Sequence, residues 1–403
     1  MKTRNIFLLL ALLIGAGNAL ADNQLKVRDI AITKEGKTVL AIETDFEKDN
    51  FIGYQLDITL PKGLSMALNS NNKPVTTSYT ELEIDGSVYS STEETTTYRL
   101  IASKMGNPRI PAGAYVLLTA TIVADASVDV GDVKTCLLTG INFSDASQTK
   151  TKCNEVNFNV TVTDKVVLDE NSPVAPVATD DEAELLVKRT IKAHEWSTIC
   201  LPFDMTAEQV KAAFGDDVEL AEFDNYTLNA DGTIAVNFIR TDLAADGFYG
   251  NWPYVIKTTR DIGEFEVTAT VDPDEESAVA KYVTGTGKKQ KTLATFTGVQ
   301  HAGSQIPEDN LFLNGNKFYY SAGKTKCKAF RAYFWLNDVL ATKGDAESRI
   351  AMSFADRVTG ISLIPSPSLR GEGSIYTLDG RRIQRPTSRK GVYVKNGKKV
   401  IVK

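Results

Sequence analysis

The chain has 403 residues, with 45 Lys+Arg against 51 Asp+Glu for a formal net charge of −6, and 42% of its residues are hydrophobic. That length is too great for one small domain and suits two or three, each with an apolar core. Two histidines and no Cys-x-x-Cys spacing argue against a zinc site, and neither a Gly-x-Gly-x-x-Gly nor a Walker loop occurs, so no cofactor is implied.

The chain opens MKTRNIFLLLALLIGAGNALA. Lys2 and Arg4 give a positive start, Ile6 to Ala16 an apolar run, and Ala19-Leu20-Ala21 a small-x-small cleavage site. This pattern predicts a secretory signal peptide over 1–21, cut after Ala21. No later stretch approaches the roughly 18 apolar residues of a spanning helix, so no transmembrane helix is expected. The expected location is secreted or at the outer cell surface. In an exported chain Cys136, Cys153, Cys200 and Cys327 are candidate disulfide partners, with three connectivities open. One pair per domain is the economical arrangement, and four buried thiols the alternative.

Residues 22–163 show strand alternation. In FIGYQLDITL, Ile52, Tyr54, Leu56, Ile58 and Leu60 share one face, while Gly53, Gln55, Asp57 and Thr59 share the other. VNFNVTV repeats the pattern with Val156, Phe158, Val160 and Val162, and YVLLTATIV predicts a more fully buried strand. Turn signals such as KEGK and PKG separate these runs, which predicts an antiparallel β-sandwich. Residues 164–183, with Pro173, Pro176 and an acidic cluster, are expected to be a linker.

Residues 184–356 predict a β-rich domain with one short helix. Thr206 and Gln209 form a capping box, Val210, Ala213 and Phe214 an apolar stripe, and Gly215 a stop. Strands follow at VELAEF, PYVIKTT, EFEVTATV and AFRAYFWL, with a hairpin through Asn229 to Gly232. Residues 357–403 form a third part with two strand-like pieces. From Arg370 to Lys403 ten Lys/Arg face only Glu372 and Asp379. Such density can serve phosphate binding. Here, though, the charges are interleaved with Ile375, Tyr376, Leu378, Val392, Tyr393 and Val400, which suits a small folded β unit. With a leader on the same chain, no nucleic-acid partner is expected.

Three resemblances follow from these residues. The tail, with Tyr376, Leu378, Gly380, then Gly391 and Tyr393, then Lys398, Lys399 and Lys403, resembles the C-terminal sorting domain of Bacteroidetes secreted proteins. That resemblance implies a small β-sandwich read by type IX export and sorting machinery. The segment STICLPFDMTAEQVKAAFG with the later KAFRAYFWLND is similar to a β-rich module of Bacteroides and Prevotella surface proteins, from which Phe330 departs mildly. The first domain, on Phe51 to Asp57 and Leu60 to Leu64, resembles cohesin-like or carbohydrate-module-like β-sandwiches.

Among candidate sites, KAFRAYFWLND stands out. Alternation puts Phe330, Ala332, Phe334 and Leu336 toward a core, and Arg331, Tyr333, Trp335 and Asn337 on the other face. Aromatic rings beside Arg and Asn can stack on sugars and bond their hydroxyls. The competing reading is that another layer covers Tyr333 and Trp335. FYGNWPY is dense in aromatics and reads as core packing. Asp272, Asp274, Glu275 and Glu276 form a contiguous run, expected to be a solvated turn. Asp125, Asp129 and Asp132 lack the spacing of a calcium loop. No Gly-x-Ser-x-Gly elbow occurs, and His194 and His301 would need partners assembled in space to act as catalysts. No catalytic residues and no metal ligands are therefore expected. The sequence reads as an exported, non-enzymatic binding or adhesion protein for a glycan or a protein. The alternatives are an unrecognised extracellular hydrolase and a structural subunit of a surface assembly.

Overall fold

The computed structural model describes residues 24–47, 50–285, 290–337 and 350–356, with strands Ile375–Thr377, Arg382–Ile383, Gly391–Lys395 and Lys398–Val402. The signal-peptide reading, with Ala19 and Ala21, lies outside the described residues. The protein is mainly β, and no described helix is long and apolar enough to cross a membrane.

Residues 24–163 fold as a two-sheet sandwich. One sheet runs Gln24–Val27, Lys37–Phe46, Gly113–Ala124, Leu64–Met66, with Thr76–Ser78 also on the third strand. The other runs Ile30–Thr33, Val156–Thr163, Val133–Asp145, Phe51–Pro61, Thr95–Ser103, Glu83–Ser91, with Lys150–Lys152 beside Val133–Asp145. Leu56, Ile58, Leu60, Phe158, Val160 and Val162 fill the space between them, as their alternation requires. The alternation slips at one point. A register shift beside Asp145 leaves Ile52 without a direct partner, so Phe51 enters the core and Ile52 stays half-exposed. On the outer face Asp57 is buried, because Arg99 holds both its oxygens at 2.7 Å while stacking on Tyr89.

A second core belongs to residues 166–354. Here one five-stranded sheet (Ser197–Ile199, Tyr254–Lys257, Glu219–Leu228, Ile234–Arg240, Ile350–Ala355) faces another (Val279–Thr284, Lys291–Val299, Arg331–Leu336, Leu311–Asn314, Lys317–Tyr320). Phe223 and Phe238 of the first sheet meet Phe296 and Phe334 of the second at ring separations of 6.0–6.3 Å. A three-stranded sheet (Val166–Asp169, Ala183–Ile191, Ile262–Ala269) packs alongside. Helix Ala207–Phe214 has the expected capping box, buries Val210, Ala213 and Phe214, and ends at Gly215 with φ 103°. A second short helix, Leu243–Asp246, is capped by Asp242 and had no apolar periodicity to announce it.

Residues 164–183, expected to be a linker, are built into this second unit. Val166–Asp169 pairs in parallel with Ala183–Ile191, and Thr179 and Val271 bond each other. The Glu170 side chain is only 3% exposed. The composition is that of a tether, but Glu170 finds three cations distant in sequence, and that pairing keeps the segment folded. The segment also touches the first sandwich, where Arg28 donates to the Asn171 carbonyl at 2.9 Å.

The disulfides expected from the cysteine count are absent: none of the four cysteines is cross-linked. Cys136 faces the first core opposite Phe158, while the Cys153 amide bonds the Ile141 carbonyl, five residues further along the Val133–Asp145 strand. At about 3.3 Å per residue that offset is well beyond disulfide reach. Cys200 lies against Gly298, whereas Cys327 packs with Val299 on the opposite face of the same strand. Burial pushes the Cys136 thiol up to about 12 and Cys327 up to about 11, and raises Cys200 as well. Dithiothreitol is expected to leave the thermal unfolding midpoint unchanged, and Cys136, Cys200 and Cys327 to resist a thiol reagent until the chain unfolds. A midpoint lowered by reductant would restore the disulfide reading.

At the C-terminus the four short strands form one sheet in the order Arg382–Ile383, Ile375–Thr377, Gly391–Lys395, Lys398–Val402. Tyr376, Gly391, Tyr393, Lys398 and Lys399 fall on these strands. Leu378, Gly380 and Lys403 lie outside the described residues.

Candidate functional site

Arg331–Leu336 is the central strand of its sheet, between Lys291–Val299 and Leu311–Asn314. Ala332, Phe334 and Leu336 are buried in the core, and Arg331, Tyr333 and Trp335 point to the other face, each half-buried. Asn337 follows just beyond the strand, exposed, its amide bonded to the Leu293 carbonyl. On one flank Trp335 lies opposite Thr295, Tyr333 opposite Thr297 and Arg331 opposite Val299. On the other, Leu311 pairs with Phe334, so the next residue, Phe312, shares the face of Tyr333. Tyr319 pairs with Phe312 across the adjoining hairpin, their rings stacked at 5.6 Å. Trp335, Tyr333, Phe312 and Tyr319 thus share one sheet face, all half-buried.

Alternation in the sequence placed Tyr333 and Trp335 on this face, but it did not place Phe312 and Tyr319 beside them. The signal that could have found them is LFLNGNKFYY, where Gly315 and Asn316 both adopt positive φ (56° and 67°), the condition for a two-residue type I′ hairpin. That turn sets the register that brings the two rings together.

Arg331 is committed elsewhere. Its Nη2 donates to Glu170 Oε2 at 2.9 Å, while Lys328 Nζ meets Oε1 at 2.9 Å and the fully buried Arg189 lies 3.5 Å away. One carboxylate therefore serves three cations and anchors the base of the strand. Tyr333 packs against Val299, Ile306 and Cys327, and burial raises its phenol above the ordinary value. Phe312 packs against the same three residues, and Trp335 and Tyr319 complete a face of four half-buried rings.

The other candidates separate in space. His194 is an exposed turn residue at φ 62°. His301 has Ser304 Oγ at 3.3 and 3.2 Å from its two ring nitrogens and Glu275 at 3.7 Å. A hydroxyl equidistant from both nitrogens is aligned with neither lone pair, and the same hydroxyl bonds the His301 carbonyl. This trio is a local turn rather than a nucleophile and base. Asp129 and Asp132 pair with Lys34 and Lys134, and Asp125 caps Ser127. Among the described residues no group of three His, Cys, Asp or Glu is placed to hold a metal. In FYGNWPY, Phe248 and Tyr254 are wholly buried with rings 4.8 Å apart, and Gly250 lies so close to the Phe203 backbone that a Cβ would approach it to 2.8 Å.

No protein-family model and no curated protein matches this chain. Among solved structures it is similar to a non-cellulosomal cohesin from the archaeon Archaeoglobus fulgidus, at 10% identity over 36% of this chain and 92% of that one, TM-score 0.28. It is also similar to the sixth cohesin of Acetivibrio cellulolyticus scaffoldin B, solved with a Cel5 dockerin, at 13% identity over 35% and 99%, TM-score 0.28. A type I cohesin–dockerin complex from Clostridium thermocellum gives 10% identity over 37% and 99%, TM-score 0.29. Each is a cohesin. Likeness at this level carries no argument about what this chain binds.

Proposed function

We propose that this chain is an exported, non-catalytic binding protein that presents the outer face of its second sandwich to a glycan chain. Export rests on the leader and on the sorting-domain resemblance of the tail. The observation that carries the binding reading is the group of four half-buried rings, Trp335, Tyr333, Phe312 and Tyr319, on one sheet face. Planar rings sharing one face suit the apolar faces of sugar residues. The rings stand on a strand whose opposite face is core and whose base is tied to Glu170, so the platform is held in place before any ligand arrives.

The double replacement Tyr333→Ala/Trp335→Ala is expected to weaken binding of the best ligand on a glycan array by tenfold or more, with unchanged circular dichroism. Undiminished binding by the folded double variant would remove this face from consideration. A chain that binds no glycan but isolates as a ladder of linked oligomers would favour an assembly subunit instead.

A further inference from the structure

The sheet that carries the rings is basic in an acidic chain. Residues 277–337 hold nine Lys/Arg against Glu308 and Asp309, a net of +7, while the whole chain is −6. None of the five strands Val279–Thr284, Lys291–Val299, Arg331–Leu336, Leu311–Asn314 and Lys317–Tyr320 contains an Asp or a Glu. The facing sheet of the same sandwich differs. Its strand Glu219–Leu228 carries Glu219, Glu222 and Asp224, and Glu219 pairs with both Lys257 and Arg240. On that sheet the cations find carboxylates of their own; the ring sheet supplies none.

Register puts part of this charge beside the rings. Lys281 pairs with Thr295, and Thr295 with Trp335, so the three side chains form a row on one face. Val279, Thr297 and Tyr333 form the next row. On the far strand Lys317 stands two residues from Tyr319 and so shares its face. Lys281 and Lys317 are both exposed, and they sit on the two outermost strands, four spacings of about 4.8 Å apart. At the base of the central strand Glu170 meets Arg189, Lys328 and Arg331, one negative charge against three positive. The Lys328 side chain is 47% exposed, so that excess reaches solvent.

The rings answer the apolar faces of sugars and are indifferent to charge. The surrounding excess of positive charge is not. A neutral glycan leaves it unmet, whereas an anionic one pairs with it and releases the counterions it holds. A small lone anion reaches one edge of the sheet; a chain charged at repeated sugars reaches both. We propose that the ring face takes an anionic polysaccharide, whose carboxylate or sulfate groups meet Lys281 and Lys317 while its sugars lie on Trp335 and Tyr333. This inference rests on the glycan reading above and narrows it to a polyanion. Single-stranded nucleic acid shares the charge, but the export proposed above sets a polysaccharide ahead of it.

The test is calorimetric titration of the full chain with four probes: carboxylated oligogalacturonate, sulfated κ-carrageenan oligosaccharide, neutral cellohexaose and oligo-dT. At least one anionic glycan is expected to bind tenfold or more tightly than cellohexaose, and the one that binds names the anionic group. Raising salt from about 50 to about 200 mM is expected to weaken it about tenfold, as two neutralised charges require. Lys281→Gln/Lys317→Gln, at exposed positions, is expected to keep the thermal midpoint, weaken the same glycan about tenfold and flatten its salt dependence. Tyr333→Ala/Trp335→Ala is expected to weaken it as well. Cellohexaose bound as tightly as the anionic glycans would overturn the polyanion and keep the ring-face reading. Equal binding by the lysine variant would place the polyanion elsewhere, the basic tail included, and overturn the proposal. Preference for oligo-dT over both anionic glycans would also overturn it, in favour of nucleic acid. No glycan of either kind binding the folded chain would remove this proposal and the ring-face reading together.

Discussion

Glu170→Gln is expected to destabilise the second sandwich by about 3–5 kcal/mol, the range for removing one partner of a buried ion pair. The side chains of Glu170 and Arg189 are 3% and 0% exposed. Lys328 and Arg331 also lean on the same carboxylate, and both reach solvent. With the charge gone, those two can turn outward, but Arg189 cannot. It keeps its bonds to the carbonyls of Thr190, Thr198 and Phe330 yet has no counter-charge. Desolvation and the neighbouring Arg331 already press on its charged state. The pH dependence follows with a definite sign. Burial acts to raise the Glu170 carboxyl, but the Lys328 hydrogen bond and the Arg331 and Arg189 charges outweigh it, so the group is held below its ordinary value. Its contribution is therefore present above the ordinary glutamate range and lost as pH falls through that range and below it. Urea unfolding of parent and variant at neutral pH and near pH 3 reads both effects, since the difference should shrink in acid. An unchanged midpoint would mean that the three carbonyls alone sustain Arg189.

The second large effect is expected at Phe334, one residue from the proposed ligand face. Phe334→Ala should cost about 3–5 kcal/mol, because a wholly buried ring leaves a cavity that the sandwich cannot close. The ring stacks on Phe296 at 4.0 Å and meets Phe318, Phe223 and Phe238 edge-on at 5.5–6.0 Å. Tyr333→Ala, its neighbour on the other face, should cost far less and act on binding. Denaturant midpoints of the two single variants separate core from platform. The N-terminal sandwich has its own core, so its transition should stay in place in both. Comparable losses at the two positions would show that Tyr333 is also a core residue.

Where an interaction is local, the sequence alone determined it. Period-two alternation set Leu56, Ile58, Leu60 and Phe158 inward, and it separated Phe334 from Tyr333 and Trp335. Thr206, Gln209 and Gly215 specified the ends of their helix, because capping joins residues three or four apart. Each of these decisions needs only neighbours along the chain. What the tertiary structure decided involves partners brought together from afar. The shift beside Asp145 exchanged Ile52 for Phe51, through a strand some ninety residues away. Glu170 turned a segment with the composition of a tether into part of a core, by meeting Arg189, Lys328 and Arg331. The cysteines were countable, but their distances and faces were not, and those keep them from cross-linking. Phe312 and Tyr319 joined Tyr333 only through strand register. Asn251 meets Asp272 because the loop after strand Ile262–Ala269 passes beside Pro202, the Asp272 amide bonding the Pro202 carbonyl. Periodicity records which face a side chain takes; only the packed sheets decide what it meets there.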